Sequence, residues 1–365
     1  MNSYQLQQAL SEARIAVGAR RQSLREAWHR WRQSKKIRLS ARPAIQALRQ
    51  LRQQQPSQSP LAGILLAEHL GDVVACEPVI RHLRETRPDA RLVWLTNPSY
   101  ASLVESHPLL HAVVPLHSVS EADVIARSGA LDLAWDLHIT GKPCARFQCN
   151  YTKSTGDPTI TASNYYCFGP LLPALCRGAG LPALDGQPNL HIAPAARKKV
   201  DSLRLPARFV AIHGTSNETI RNWDPEKWRT LASKIWRVFG LPVVELGLRP
   251  IVSSGTEGCV DLCGKVMPIE MAEVIRRASV FIGIDSGPAH CANALQIPSV
   301  ILLARYKNFG HYMPYTGYLR RNAREMLLRA THSLSSLPVE SVLFRLRRVL
   351  ATQNGLSGPV RRPVT

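Results

Sequence analysis

Three short stretches hold the residues best suited to chemistry. In "VFIGIDSGPAHCANAL" an apolar run from Val280 to Ile284 gives way to Asp285, Ser286, Gly287, Pro288, Ala289 and His290. An acid at the end of a buried strand, followed by small residues that open a helix, leaves backbone N–H groups pointing outward, and with the helix dipole these form an anion site. Gly287 lets a phosphate come close to the backbone and Ser286 adds a hydroxyl. The alternative is a plain helix cap followed by a core histidine. A second stretch, "AIHGTSNETIRNWDPEKW", offers Thr215, Ser216 and Arg221, whose hydroxyls and guanidinium suit a phosphate; otherwise Arg221 is a surface charge. A third, "AEHLGDVVACEPVIRHLRETRPDARLVWLT", places Gly71 at a tight turn and Asp72 at the end of a strand, with Pro78 in the first turn of a helix. Asp72 is there either a helix cap or a proton acceptor.

The elements that must position these residues read as alternating short apolar runs and amphipathic segments, the signature of βαβ units with parallel sheets. The first series is "LAGILLA", "RLVWLT", "HAVVPL" and "LDLAWDL"; the second is "FVAIHG", "PVVELG", "SVFIGID" and "SVILLA". A Pro-rich and charged connection near 185–206 separates them. Helices are clearest at "DPEKWRTLASKIWRVFG", where Asp224 caps, Pro225 fits the first turn and Gly240 ends it, and at "MPIEMAEVIRRAS" and "LPVESVLFRLRRVLAT". The expectation is an α/β protein of two doubly wound, Rossmann-like domains at 61–195 and 205–325, preceded by a basic helical arm and linker at 1–60 and followed by a helix and tail at 326–365. Such domains bind ligands at the carboxyl ends of their strands, where all three stretches lie.

Composition narrows the function classes. The chain has 365 residues and a net charge of +20. Residues 1–60 hold twelve Lys/Arg against Glu12 and Glu26, half of that excess. Such an arm follows anionic lipid, binds nucleic acid, or is a solvated basic helix. Trp28 and Trp31 beside Arg25, Arg30 and Arg32 favour an interfacial helix. No aromatic platform or groove-reading motif accompanies them, so no nucleic-acid partner is expected. No apolar run approaches the roughly 20 residues of a spanning helix, and the start lacks the apolar core of a secretory signal. The eight cysteines are scattered without a C-x-x-C pair, which reads as free thiols in a reducing cytosol rather than a metal site.

In order and spacing these segments resemble glycosyltransferase family 9, the bacterial heptosyltransferases of lipopolysaccharide core assembly. Gly71-Asp72 with Pro78, His213 to Ser216 before Arg221-Asn222-Trp223, and "DLCGKVMPIEMAEVIRRASVFIGIDSGPAHCANALQIPSVIL" carry the resemblance, which covers roughly 61–325. It implies a GT-B fold, with two Rossmann-like domains facing across a cleft. The first domain binds acceptor and the second a nucleotide-sugar donor, such as ADP-heptose. It further implies inversion at the anomeric carbon without a metal or other cofactor, on a glycolipid acceptor at the inner face of the cytoplasmic membrane. By resemblance Asp72 is the general base; Thr215, Ser216 and Arg221 contact the donor phosphates; and Asp285, Ser286, Gly287 and His290 shape the donor pocket.

Gly71 is placed on the acceptor side. Lys142, Arg146 and Lys153 in "ITGKPCARFQCNYTKSTGDPTITASNYYCFGP" are available to an anionic glycolipid, though the segment also reads as a solvated insertion. Arg221 stands where many members carry Lys, and "VVELGLRPIVSSG" lacks an acid often found after that strand. "ARYKNFGHYMPYTG" replaces the usual Gly-Pro loop and offers Lys307 and His311 to a phosphate or acid sugar. Two other classes stay open at this point: a sugar-nucleotide-binding relative without turnover, and a basic nucleic-acid-binding protein.

Overall fold

The structure, a computed structural model, describes residues 3–54, 59–252, 256–306, 309 and 312–353, with backbone alone for residues 3–19 and 353. Lys307 and His311, four residues of the 53–60 linker and the tail beyond 353 lie outside the described residues.

Each apolar series forms one parallel sheet. In the first, β1 (Leu61–Leu66), β2 (Arg91–Thr96), β3 (Ala112–Pro115) and β4 (Leu133–Asp136) lie in the order β3-β2-β1-β4. Every residue of β1 and β2 is buried, as expected for parallel strands covered on both faces. After a two-residue hairpin of β5 (Pro143–Cys144) and β6 (Cys149–Asn150), the second sheet takes up β7 (Val210–His213), β8 (Val243–Glu245), β9 (Cys259–Asp261), β10 (Val280–Ile284), β11 (Ser299–Leu303) and β12 (Leu327–Arg329). Its order is β12-β11-β10-β7-β8-β9, which is the dinucleotide-fold order 3-2-1-4-5-6 read from its other edge. The short β9 and β12 carry no apolar run distinct from their surroundings, and the sequence pattern did not announce them.

Helices fill the crossovers. A 52-residue helix, α1 (Ser3–Gln54), opens the chain. In the first domain follow α2 (Leu70–Ala75), α3 (Pro78–Thr86) and α4 (Val119–Ala126), then α5 (Leu171–Gly178) and α6 (Pro194–Asp201) leading out of it. The second domain has α7 (Pro225–Phe239), α8 (Pro268–Arg277), α9 (Gly287–Ala294), α10 (Gly317–Arg321), α11 (Ala323–Met326) and α12 (Val339–Gln353). Local chemistry sets α7's ends as its sequence indicates: Asp224 Oδ1 accepts from Glu226 N at 2.9 Å, and Gly240 adopts φ 63° to close the helix.

α1 has two halves of different character. Ala41, Ala44 and Leu48 are buried and join the cluster of Leu61, Leu65, Val93, Leu95 and Ile125, so this part of the helix covers one face of the first sheet. Ser40 Oγ donates to Glu121 of α4 at 2.5 Å. Residues 20–32, by contrast, are all exposed. Among the described residues no helix is long and apolar enough to cross a membrane. All eight cysteines are free; five are buried, and Cys167 is exposed.

The connection between the domains is pinned to both. Gln187 Nε2 donates to Asn293 O (2.8 Å) of the second domain, and its Oε1 accepts from Tyr318 N (2.6 Å). Asn189 N donates to Glu77 Oε2 of the first domain at 2.8 Å. Together with the packing of α2 on α9, this fixes what faces what across the cleft.

Candidate active site

Both sheets reverse their strand order at an interior point, and open α/β sheets bind ligands in the crevice that forms there. In the first sheet this point lies between β1 and β4, and the loop after β1 carries Glu68 to Asp72. In the second it lies between β7 and β10, whose following loops carry Gly214 to Arg221 and Asp285 to His290. The two points face one another. A Cβ on Gly71 would come 2.8 Å from His290 Cδ2, and one on Gly287 would come 2.7 Å from Leu70 Cδ2. Both glycines are required by the closeness of α2 to α9, so the Gly-Asp stretch and the Asp-Ser-Gly stretch meet directly.

On the first-domain side Asp72 is half-buried in the first turn of α2, and its Oδ2 accepts from His69 N at 3.1 Å. That is the acid of a capping box, which leaves the other carboxylate oxygen for a further partner. Beside it Lys142 Nζ meets Glu68 Oε1 at 3.0 Å. Burial alone would push both groups toward neutrality. Each outweighs that for the other, so the Glu68 carboxyl lies below its usual range and the Lys142 ammonium above its own, with Asp72 adding to the latter. Glu68 was missed in the sequence: its partner is 74 positions away and no spacing rule connects them.

Behind this pair lies a closed network. Ala67 N donates to His138 Nε2 (2.7 Å), so the ring's proton sits on Nδ1 and is donated to Asp136 Oδ1 (2.6 Å). Tyr151 OH donates to the other Asp136 oxygen. Lys153 is buried, and its ammonium donates to the carbonyls of Asp136 (3.1 Å) and His138 (3.0 Å). Lys153 therefore holds the ends of the network instead of projecting into the cleft. Arg146 sits at the exposed tip of the β5–β6 hairpin, away from Lys142 at its base.

The second-domain side is more crowded. Asp285 is buried and accepts from Tyr312 OH, from Tyr315 OH at 3.1 Å, and from Arg221 Nη1 at 3.2 Å. Arg221 lies with its guanidinium 4.1 Å from the Tyr306 ring centroid and also faces Glu218 at 3.7 Å. Burial opposes its charge, but Asp285 and the neighbouring tyrosines outweigh that and hold it above the usual arginine value. Ser286 Oγ is 3.0 Å from His213 Nδ1, and burial pushes His213 down to about 4, so this histidine is neutral. Burial likewise lowers His290, whose ring packs on Tyr315. Ala289 N turns back onto Ser286 O at 3.1 Å, which leaves the Gly287 end of α9 as the part of the helix mouth aimed at the cleft. Ser216 N donates to Asn222 Oδ1 (2.7 Å), which shapes the loop bearing Thr215 and Ser216.

Tyr306, Phe309, Tyr312 and Tyr315 come from the stretch in which the sequence drew attention to Lys307 and His311. Tyr306, Phe309 and Tyr312 meet Tyr165 and Tyr166 of the first domain edge to face, so a ring cluster closes one side of the cleft. Glu245, at the end of β8, is buried and accepts from Ile251 N (2.6 Å) and Val252 N (3.1 Å); it organises the loop that follows.

Among the described residues two groups of side chains have metal-ligand composition: Glu77, His107 and His191, and Glu245, Asp261 and Cys263. The first is closed on itself. His107 Nδ1 accepts from Leu109 N, so Nε2 carries the proton shared with Glu77 (3.1 Å), and Glu77 also holds Arg81 at 3.0 Å.

Comparison with known proteins shows what this chain is similar to. Residues 170–324 match the sequence pattern of glycosyltransferase family 9 (heptosyltransferase). Lipopolysaccharide heptosyltransferase 3 of Escherichia coli strain K12 is 26% identical over 42% of this chain and 50% of its own length. An Escherichia coli protein of the same name is 22% identical over 64% of this chain and 80% of its own. The chain thus spans half of one curated relative and four fifths of the other.

Among solved structures, E. coli ADP-heptose LPS heptosyltransferase II superposes with a TM-score of 0.61 at 16% identity, over 80% of this chain and 99% of that one. The dodecameric iron-containing heptosyltransferase TibC, in complex with ADP-D-beta-D-heptose, gives 0.50 at 16% identity, over 82% and 76%. These likenesses show the GT-B fold: two Rossmann-like domains facing across a cleft.

Proposed function

We propose, from the match of residues 170–324 to the pattern of glycosyltransferase family 9, that the chain is a glycosyltransferase of this kind and transfers a heptose-like sugar from a nucleotide-activated donor to a lipopolysaccharide-core or related glycolipid. The observation that carries this reading is the meeting of the two switch-point loops, Gly71-Asp72 against His290 and Leu70 against Gly287. A carboxylate able to take a proton thereby stands opposite a helix mouth able to take a diphosphate.

In this reading the acceptor hydroxyl attacks the anomeric carbon from the face opposite the leaving group, and Asp72 takes its proton as the new C–O bond forms. The bond to the diphosphate breaks with its electron pair, which inverts the anomeric centre. The charge that collects on the diphosphate is stabilised by Arg221, the Thr215 and Ser216 hydroxyls, and the Ser286-Gly287 start of α9. Asp285 orients Arg221, and His290 forms the wall between the two substrates. Lys142 and Gly71 border the acceptor, and Lys153 braces the loop behind them. A guanidinium, hydroxyls and a helix terminus supply this stabilisation without a metal ion, so turnover is expected to persist in EDTA. Loss of turnover restored only by a divalent ion would overturn that point.

ADP-heptose is the donor proposed, on the strength of the solved relatives that bind it. We assign the enzyme to the inner face of the cytoplasmic membrane, held there by the exposed half of α1. The test is release of ADP from ADP-heptose with membrane glycolipid as acceptor. A second reading, binding without turnover, is favoured by Asp285 and Tyr306 already engaging Arg221; donor binding by calorimetry without ADP release would establish it. Neither binding nor release across a panel of sugar nucleotides would sink both.

A further inference from the structure

Among the described residues, four of the eight exposed large hydrophobic side chains lie on α1: Leu24, Trp28, Trp31 and Leu39. The first three recur at i, i+4 and i+7, a spacing that puts them on one face of the helix. Leu24 is 64% exposed, Trp28 57% and Trp31 59%, although no part of the second half of α1 needs them for packing. Arg32 lies over the Trp28 ring at 4.5 Å and Lys35 over Trp31 at 5.4 Å. Indoles flanked by cations suit the interface between headgroups and acyl chains.

Next to this face is a groove that the arm does not form alone. His29, Arg32, Gln33 and Lys36 of α1 make one wall, and Arg146, Phe147 and Gln148 at the tip of the β5–β6 hairpin make the other, around a cavity of about 280 Å³. The walls are tied together, because Gln33 Nε2 donates to Phe147 O at 2.7 Å. Among the described residues no ion pair engages Arg32, Lys36 or Arg146, while fourteen pairs join Lys or Arg to a carboxylate elsewhere, including Arg30 with Glu26 one turn away. Three permanent cations and a histidine thus converge on one concavity without an anion of the protein's own. Guanidinium groups from two separate elements match the fork geometry with which phosphate oxygens are bound.

The hairpin also reaches the cleft. Its base carries Lys142, paired with Glu68 beside Asp72, and Gly141 N and Tyr151 N close the base through bonds to Tyr151 O and Lys142 O at 2.8 Å. Arg146 follows Lys142 by four positions, at most about 14 Å of extended chain. A group held in the groove is therefore within a short sugar chain of the cleft.

We propose that the groove between α1 and the β5–β6 hairpin is a headgroup site for the phosphate of an anionic bilayer lipid, which seats the first domain on the membrane with the Asp72 cleft facing the membrane-borne acceptor. This rests on the reading of α1 as membrane-facing and makes it specific. The tryptophan face enters the interface, the groove takes one phosphate beneath it, and the hairpin transmits the orientation to the cleft. Arg146 is the decisive residue, since it belongs to the first domain's hairpin and is 110 positions or more from Arg32 and Lys36, the α1 cations of the groove.

The test is co-sedimentation of the full chain with phosphatidylcholine vesicles, with and without phosphatidylglycerol, at physiological salt. The unaltered protein is expected to bind the anionic vesicles and not the neutral ones. Arg146→Gln should weaken that binding by about tenfold, the size of one charge-assisted phosphate contact. Arg146→Lys, which keeps the charge but not the fork, should fall between. Arg25→Gln removes the same charge from α1 outside the groove and should cost about twofold or less. Both side chains are exposed, and unchanged melting temperatures will show that folding is intact. Equal losses for Arg146→Gln and Arg25→Gln would mean diffuse attraction, which overturns the groove and leaves the membrane-facing arm standing. Failure of the unaltered protein to prefer anionic vesicles would overturn both.

Discussion

Asp72 and Asp285 are the same residue type at corresponding places. Each stands beside the point where a parallel sheet reverses its strand order, Asp72 in the first turn of α2 and Asp285 just ahead of α9. Their surroundings differ in kind. Asp72 is half-buried and accepts one backbone bond, from His69 N. Asp285 is buried and accepts from two tyrosine hydroxyls and Arg221. A carboxylate whose lone pairs are occupied is a poor acceptor for a passing proton, whereas one with an open oxygen at a cleft is suited to it. The difference teaches that position at a strand end selects candidates, and hydrogen-bond occupancy divides them into those that react and those that brace.

The sharpest way to break this comparison is Asp72→Asn. Asn keeps a side-chain oxygen that can accept from His69 N, so the fold should be unaffected, with a melting temperature close to the parent's. Turnover should fall by roughly 10²–10⁴, the range for losing a general base, with donor binding largely retained. A folded, donor-binding variant that transfers sugar within a few-fold of the parent rate would remove Asp72 from the chemistry and make both aspartates structural.

Asp285→Asn should fail in the other way. Removing one partner of a buried pair leaves the other charge uncompensated, which costs 3–5 kcal/mol for full burial. The Arg221 side chain keeps 19% exposure, so the lower end, about 3 kcal/mol by urea denaturation, is expected. Adding Arg221→Gln to Asp285→Asn should recover part of the loss, because no unpaired charge then remains. A stability within about 1 kcal/mol of the parent for the single variant, inside the range of an ordinary surface change, would show that Asp285 does not brace the site.

The two regions also differ in how far they could be read beforehand. Strands such as "LAGILL" and "VFIGI" are continuous apolar runs because both faces are covered, and Asp224 and Gly240 mark the ends of α7 by local chemistry alone. Gly71-Asp72 and Asp285-Ser286-Gly287 are legible for the same reason: small residues at a strand end are needed where helices approach. What the spacing could not supply are partners brought together only by the finished fold. Glu68 finds Lys142 across the hairpin, and Tyr306, Tyr312 and Tyr315 converge on Arg221 and Asp285 from a loop whose cations had drawn the eye. The basic residues at 38, 42, 49 and 52 likewise mask Ala41, Ala44 and Leu48, which bury the second half of α1 against the first sheet. Charge composition averages over a helix, whereas packing is decided face by face.

The smallest effect separates the two regions by pH. His213 lies behind Ser286 on the second-domain side, and burial holds its folded value down at about 4, against an ordinary value near 6.5. As pH falls below about 6.5 the unfolded chain takes up this proton first, and the native chain does so only near 4. The unfolded state therefore binds more protons throughout that window, and stability falls with falling pH. The contribution of His213 is fully present above 6.5 and is lost progressively down to 4. At pH 5 the loss from this one group comes to about 2 kcal/mol. Urea denaturation of the parent and of His213→Gln at pH 7 and pH 5 checks it, because His290 and the other histidines titrate in both and cancel in the difference. The variant is expected to be less stable at pH 7, where it lacks the packed ring, but to lose about 2 kcal/mol less on going to pH 5. Equal acid losses in the two proteins would mean that the ring takes its proton without disturbing the fold. The bracing role assigned to the second-domain side would then rest on Asp285 and Arg221 alone.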